Sequence, residues 1–160
     1  ENVPDLVLMG QPPKDMDLVS ESFMDNPLIV IGALNHPLAG RRNILLSDLA
    51  QEKFLVREPG SGTRIAMERC FTENDFDYQK GIELTGNEAI KQSVEAGLGL
   101  AVVSAHTVEL ELTLKRLIQL NVQGFPIMRR WYVAYRRGKR LSPTAEAFRK
   151  FVLEAGAKAS

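Results

Sequence analysis

The sequence predicts an α/β domain: a mostly parallel sheet with helices on both faces. Short apolar runs alternate with helical patterns along the 160 residues, the order expected of strand–helix–strand units. Leu98 to Val103 is almost unbrokenly apolar, as a central strand covered on both faces must be. Two strand-to-helix turns carry glycine, Pro59-Gly60-Ser61-Gly62-Thr63 and Thr85-Gly86-Asn87. Hydrophobic residues make up 44% and charged residues 25%, an ordinary globular composition.

Asp5 to Gly10 reads as a buried strand ended by Gly10 and Pro12-Pro13. A strand this early, behind Glu1 and not a methionine, gives the expectation that the chain begins inside a fold. Asn26-Pro27 marks a change of direction, because the residue before proline is pushed out of the helical region. Leu28-Ile29-Val30-Ile31 then forms a second strand, closed by the turn Asn35-His36-Pro37. Ser47-Asp48 can cap a short helical turn at Leu49-Ala50. Phe54-Leu55-Val56 is the third strand, followed by the first glycine turn and a helix from Thr63 to Asn74. Ile82-Glu83-Leu84 is the fourth. Asn87 then caps a helix through Ala96, which Gly97 ends with Leu98 as closing apolar contact.

Past Ser104 the pattern divides. Val108, Leu110, Leu112 and Leu114 alternate like a strand, whereas length and the Ser104 cap favour a helix. Leu117 to Leu120 and Trp131 to Tyr135 read as two further strands. Ser142 caps the last helix, and Pro143 takes its first position. Phe148, Phe151, Val152 and Ala155 form its core face, and Gly156 stops it.

Lys+Arg and Asp+Glu are 20 each, unlike a bare nucleic-acid binder, which is usually basic. The single Cys70 cannot form an internal disulfide and falls at helical spacing among apolar residues, as a core thiol does. No run reaches the length of a membrane span, and no signal peptide opens the chain.

The strongest chemical feature is the turn at 59–64. Its glycines let a ligand approach the backbone, and a helix start offers free N–H groups and the positive end of the dipole. Ser61 and Thr63 add hydroxyls, and Arg64 is placed to add positive charge. A plain capped turn is the competing reading. Thr85, Gly86, Asn87 and Glu88 form a second such turn, and in an open parallel sheet both lie at the carboxyl ends of the strands. His36 and His106 belong to no metal-ligand cluster, and the nucleophile-elbow pattern is absent. No catalytic constellation emerges, so neither an enzyme nor a cofactor is expected. Arg129, Arg130, Arg136, Arg137, Lys139 and Arg140 suggest DNA contact or, more simply, a solvated strand end.

Asn35-His36-Pro37-Leu38-Ala39, Asp5-Leu6-Val7-Leu8 and Gly97-Leu98-Gly99-Leu100-Ala101-Val102-Val103-Ser104 resemble the effector domains of LysR-type transcriptional regulators. Val7 to Pro13, Phe54 to Arg64, Gly124 to Ile127 and Gly138 to Pro143 are similar to the CbbR-like branch, regulators of carbon-fixation operons. The resemblance implies a type 2 periplasmic-binding-protein-like fold of two Rossmann-like subdomains. Residues 29–132 would be the second subdomain. Residues 1–28 and 133–160 would be parts of an incomplete first. It further implies a cytoplasmic homodimer or homotetramer that meets DNA through an N-terminal winged helix-turn-helix outside this chain. A small anionic, phosphorylated effector would bind between subdomains, with Gly60, Ser61, Gly62, Thr63, Arg64, Thr85, Asn87 and Glu88 on the wall of the second. Hinges would lie near Asn26-Pro27 and Arg130-Trp131. A solute-binding lobe of a transport system is the alternative.

Overall fold

The computed structural model describes residues 4–159, with side chains through residue 157. The chain divides into two compact units, one from Pro27 to Ile127 and one from the segments before and after it.

The larger unit holds five strands: β3 (Leu28–Ala33), β4 (Lys53–Arg57), β5 (Gln79–Leu84), β6 (Leu100–Ser104) and β7 (Leu117–Leu120). Their order is β5-β4-β6-β3-β7. Period-2 alternation splits the strand side chains between two core layers. Leu28, Val30, Phe54, Val56, Leu100 and Val102 face one way, under helix α1 (Gly62–Glu73) with its Met67 and Phe71. Ile29, Ile31, Leu55, Ala101 and Val103 face the other, under Ile90 and Val94 of helix α2 (Asn87–Glu95). Each buried Val, Leu, Ile, Phe or Met among them contributes about 1.5–3 kcal/mol of transfer free energy. Phe54 and Phe71 meet edge-on at 5.1 Å, with Phe76 and Tyr78 packed around them.

The sheet is mixed rather than mostly parallel. β4 runs parallel to β5 and β6, but β3 is antiparallel to both β6 and β7. All six residues of β3 are buried, and a strand covered on both faces carries no side-chain signal of its direction. The divided reading after Ser104 resolves to helix: a 3-10 turn at Ala105–Thr107 and a short helix α3 (Glu109–Thr113). Ser104 makes no side-chain cap there; the Thr107 hydroxyl donates to its carbonyl. Nor does Ser47 cap the earlier 3-10 turn, Leu46–Leu49, where the Leu45 N–H donates to the Asp48 carboxylate.

The smaller unit is an antiparallel sheet of β1 (Val7–Met9), β8 (Arg130–Arg136) and β2 (Leu18–Asp25) in that order, with helix α4 (Pro143–Ala159) packed against β2. The sequence did not reveal β2, whose Leu18-Val19-Ser20-Glu21-Ser22-Phe23 run mixes polar and apolar residues and carries a bulge at Phe23. β1 is an edge strand, and Val7 and Leu8 are exposed, not buried as expected. Arg130 and Trp131 are ladder residues of β8, paired with Asp25 and Met24. Three of the six residues of the basic stretch form ion pairs within the unit: Arg130 with Asp25, Arg137 with Asp17, Lys139 with Asp5.

Helix α4 starts as the sequence indicates, with the Ala145 N–H donating to the Ser142 hydroxyl. Its buried face is different. Ala145, Val152 and Gly156 are buried, and Arg149 forks onto the Glu21 carboxylate of β2, while Phe148 and Phe151 lie exposed. Gly156 does not stop the helix; it lies inside it, where a Cβ would come within 1.8 Å of the Phe23 carbonyl oxygen. The helix therefore presents its small residues to the sheet, because only they permit that approach.

Candidate strand-to-helix anion site

β4 and β5 are parallel neighbours, so the turns that leave their carboxyl ends lie side by side. The first passes through Gly60 at φ 86° and enters α1, with Ser61 as N-cap. The second passes through Gly86 at φ 84°, itself the N-cap of α2. Both conformations lie in the left-handed region, and no heavy atom lies within 4 Å of where a Cβ would sit on either glycine. The glycines thus serve the turn and leave the backbone open.

Ser61 makes no side-chain cap hydrogen bond. Its carbonyl accepts the first intrahelical bond, from Ile65, so the positive end of the helix begins at this turn. The α1 start therefore combines dipole, amides, the Ser61 and Thr63 hydroxyls and an open glycine backbone, a set suited to a small anion. Asn87 is not the cap of α2 that the sequence suggested. It is the first helical residue, and its side-chain oxygen accepts from Arg57.

Two residues absent from the sequence-based site tie the turns together. Arg57 forks onto Glu58 with two bonds of 2.7 Å and reaches Asn87 with its third nitrogen. Glu58 also accepts from the Gly86 N–H at 3.4 Å. The Arg57 guanidinium, aided by the Glu58 and Gly86 amides, holds the Glu58 carboxyl down at about 2. Glu58 in turn pushes Arg57 further up. The tandem Arg57-Glu58 before Pro59-Gly60 was the available signal, but its link to Asn87 depends on the pairing of β4 with β5.

Arg64 has a different place from the one expected. Its Nε donates to Glu68 at 2.8 Å, and one terminal nitrogen to Glu83 at 2.8 Å and to the Arg57 carbonyl at 3.0 Å. With a side chain 15% exposed and two carboxylates on it, its charge is matched inside the fold. It braces α1 against β4 and β5 and does not offer a free cation at the turn. Thr85 and Glu88 are exposed. Glu88 and Glu111 share the buried Lys91, whose pKa they raise, Glu111 most. Cys70 lies half-buried on α1, and burial pushes its thiol up, away from reactivity. Among the described residues no cluster could hold a metal ion, and no helix is long and apolar enough to cross a membrane.

Glycine-bearing turns at the carboxyl ends of neighbouring parallel strands are a frame common to ligand-binding α/β folds, and comparison names the family. Residues 1–157 match the family described as LysR substrate binding domain; the chain belongs to it. It is 58% identical over 157 residues to the RuBisCO operon transcriptional regulator of Allochromatium vinosum, covering 98% of this chain and 52% of that protein. Identity to the protein of the same name from Acidithiobacillus ferrooxidans is 46%, over 98% of this chain and 50% of that one. The chain spans about half the length of the curated relatives it matches. Among solved structures it superposes on the Synechocystis PCC6803 CcmR regulatory domain in complex with 2-PG at TM-score 0.91 and 42% identity. That match covers 97% of this chain and 74% of the other. The effector binding domain of QuiR, at 24% identity and TM-score 0.83, shares the fold. The expected type 2 periplasmic-binding-like fold and CbbR-like kinship are thereby confirmed.

Proposed function

We propose that this chain is the effector-sensing part of a LysR-type transcription regulator and that it binds a small phosphorylated acid at the start of α1. The observation that carries the reading is the start of α1, where the Ser61 side chain makes no cap hydrogen bond and the space at Gly60 is open. It occurs in a chain 42% identical to a regulatory domain bound to 2-PG. 2-Phosphoglycolate is accordingly the first effector to test. Its phosphate would be held by the amides of the first turn and the Ser61 and Thr63 hydroxyls, with Gly60 leaving room. Arg64, Asn87 and Glu88 would support the turns rather than touch the ligand.

The two compact units correspond in this reading to a second regulatory subdomain and part of a first. DNA would be met through a winged helix-turn-helix elsewhere in a cytoplasmic homodimer or homotetramer. The transport alternative is not favoured, because the relatives are transcription regulators. The effector can shift a regulatory equilibrium only by its differential affinity for the two states.

The test is calorimetric titration of the full-length protein with 2-phosphoglycolate. Thr63→Ala should weaken binding by about 1–2 kcal/mol, the range for a hydrogen bond to a charged group, with an unchanged melting temperature. Unaltered affinity in that variant removes α1 as the anion site.

A further inference from the structure

The Arg57–Glu58 pair lies beside the proposed effector site, and nothing in that reading uses it. Glu58 is an internal anion at the start of α2. Its carboxylate is chelated by Arg57 and accepts from the Gly86 N–H, one of the amides through which a helix start can receive a ligand. Arg57 is likewise taken up by Glu58 and the Asn87 side chain. The two neighbouring turns are therefore unlike. At α1 the N-cap side chain makes no bond to the helix; at α2 the mouth already holds a negative group and its counter-ion.

We propose that Glu58 is a specificity-determining residue: its carboxylate fills the start of α2, so that this wall accepts one phosphate at α1 and gives no advantage to a second. This rests on the reading of α1 as the effector site. A second phosphate approaching the α2 turn meets a pair of near-zero net charge, and all three nitrogens of its guanidinium are already bonded to Glu58 and Asn87. Without the Glu58 charge, the same phosphate would meet the Arg57 guanidinium, whose planar fork suits it. Gly86 leaves the space in front open, with nothing within 4 Å of a Cβ position, so charge and not bulk makes the distinction.

The test compares 2-phosphoglycolate with 2,3-bisphosphoglycerate by calorimetry on the full-length protein. Glu58→Gln keeps the size of the side chain and removes its charge. It should tighten the bisphosphate by about tenfold, as release of one matched cation near a surface allows, and leave 2-phosphoglycolate within about threefold. Arg57→Gln leaves Glu58 uncompensated and should move the bisphosphate the opposite way. An unchanged ratio of the two affinities in Glu58→Gln overturns the proposal. Should that variant fail to fold, an unchanged ratio in Arg57→Gln overturns it equally. Thr63→Ala separates the two readings. If it leaves 2-phosphoglycolate binding intact, the α1 site itself falls. If it weakens binding while the ratio in Glu58→Gln stays fixed, Glu58 alone is excluded.

Discussion

Gly156→Ala tests whether helix α4 is placed by contact or by helix propensity, because the two predict opposite signs. In a helix interior, alanine is favoured over glycine by about 0.8–1 kcal/mol. Gly156 lies within α4, so propensity alone predicts a more stable protein. The packing predicts the reverse. A Cβ at this position would come within 1.8 Å of the Phe23 carbonyl oxygen and 2.7 Å of its carbon, and both are backbone atoms of a sheet strand. The helix would have to withdraw by more than an ångström, lifting Ala145 and Val152 from β2 and straining the Arg149–Glu21 fork. Overpacking of this kind costs about 1–3 kcal/mol. We expect a net loss toward the upper part of that range, less the propensity gain, seen as a lower urea midpoint at unchanged slope. Ala155→Gly, one residue away on the exposed side, is the control and should cost no more than the propensity difference. A Gly156→Ala protein as stable as the parent, or more so, refutes the close approach of α4 to Phe23.

Two further predictions concern the site. The Glu58 carboxyl should titrate near 2, below the 4.5 of an unperturbed glutamate, because Arg57 chelates it. Its contribution to stability is then complete above the unfolded value and lost as the pH falls toward about 2; a side-chain NMR titration with its midpoint near 4.5 would refute the chelate. Arg64→Gln should lower the urea midpoint, since it releases Glu68 and Glu83 and the bond to the Arg57 carbonyl. It should leave 2-phosphoglycolate affinity within about threefold, a positioning effect only, and a loss as large as that of Thr63→Ala would return Arg64 to the ligand's contacts.

The glycine turn at 59–63 and the helix after it could be read directly, because strand, glycines and helix pattern follow one another within twenty residues of chain. The same holds for the α2 terminus: Gly97, at φ 78°, and Leu98 close it with the bonds to Val94 and Ser93 that the Gly-Leu pair implies. Arg57, Glu58 and Asn87 show the opposite case. Each is an ordinary polar residue next to a turn, and Asn87 looked like a cap. They become a brace only because β4 and β5 pair in parallel and bring positions 57 and 87 together.

The strands β3 and β6 and the α4 start were thus written in local pattern, since apolar runs, caps and turn residues act over a few neighbours. The antiparallel direction of β3, the strand β2, the engagement of Arg64 by Glu83, and the choice of Gly156 over Phe151 as the buried face of α4 were decided by tertiary structure. Direction, ion-pair partners and helix facing depend on which distant segments come to lie together, and a side chain's pattern along its own segment does not encode its neighbour across the sheet.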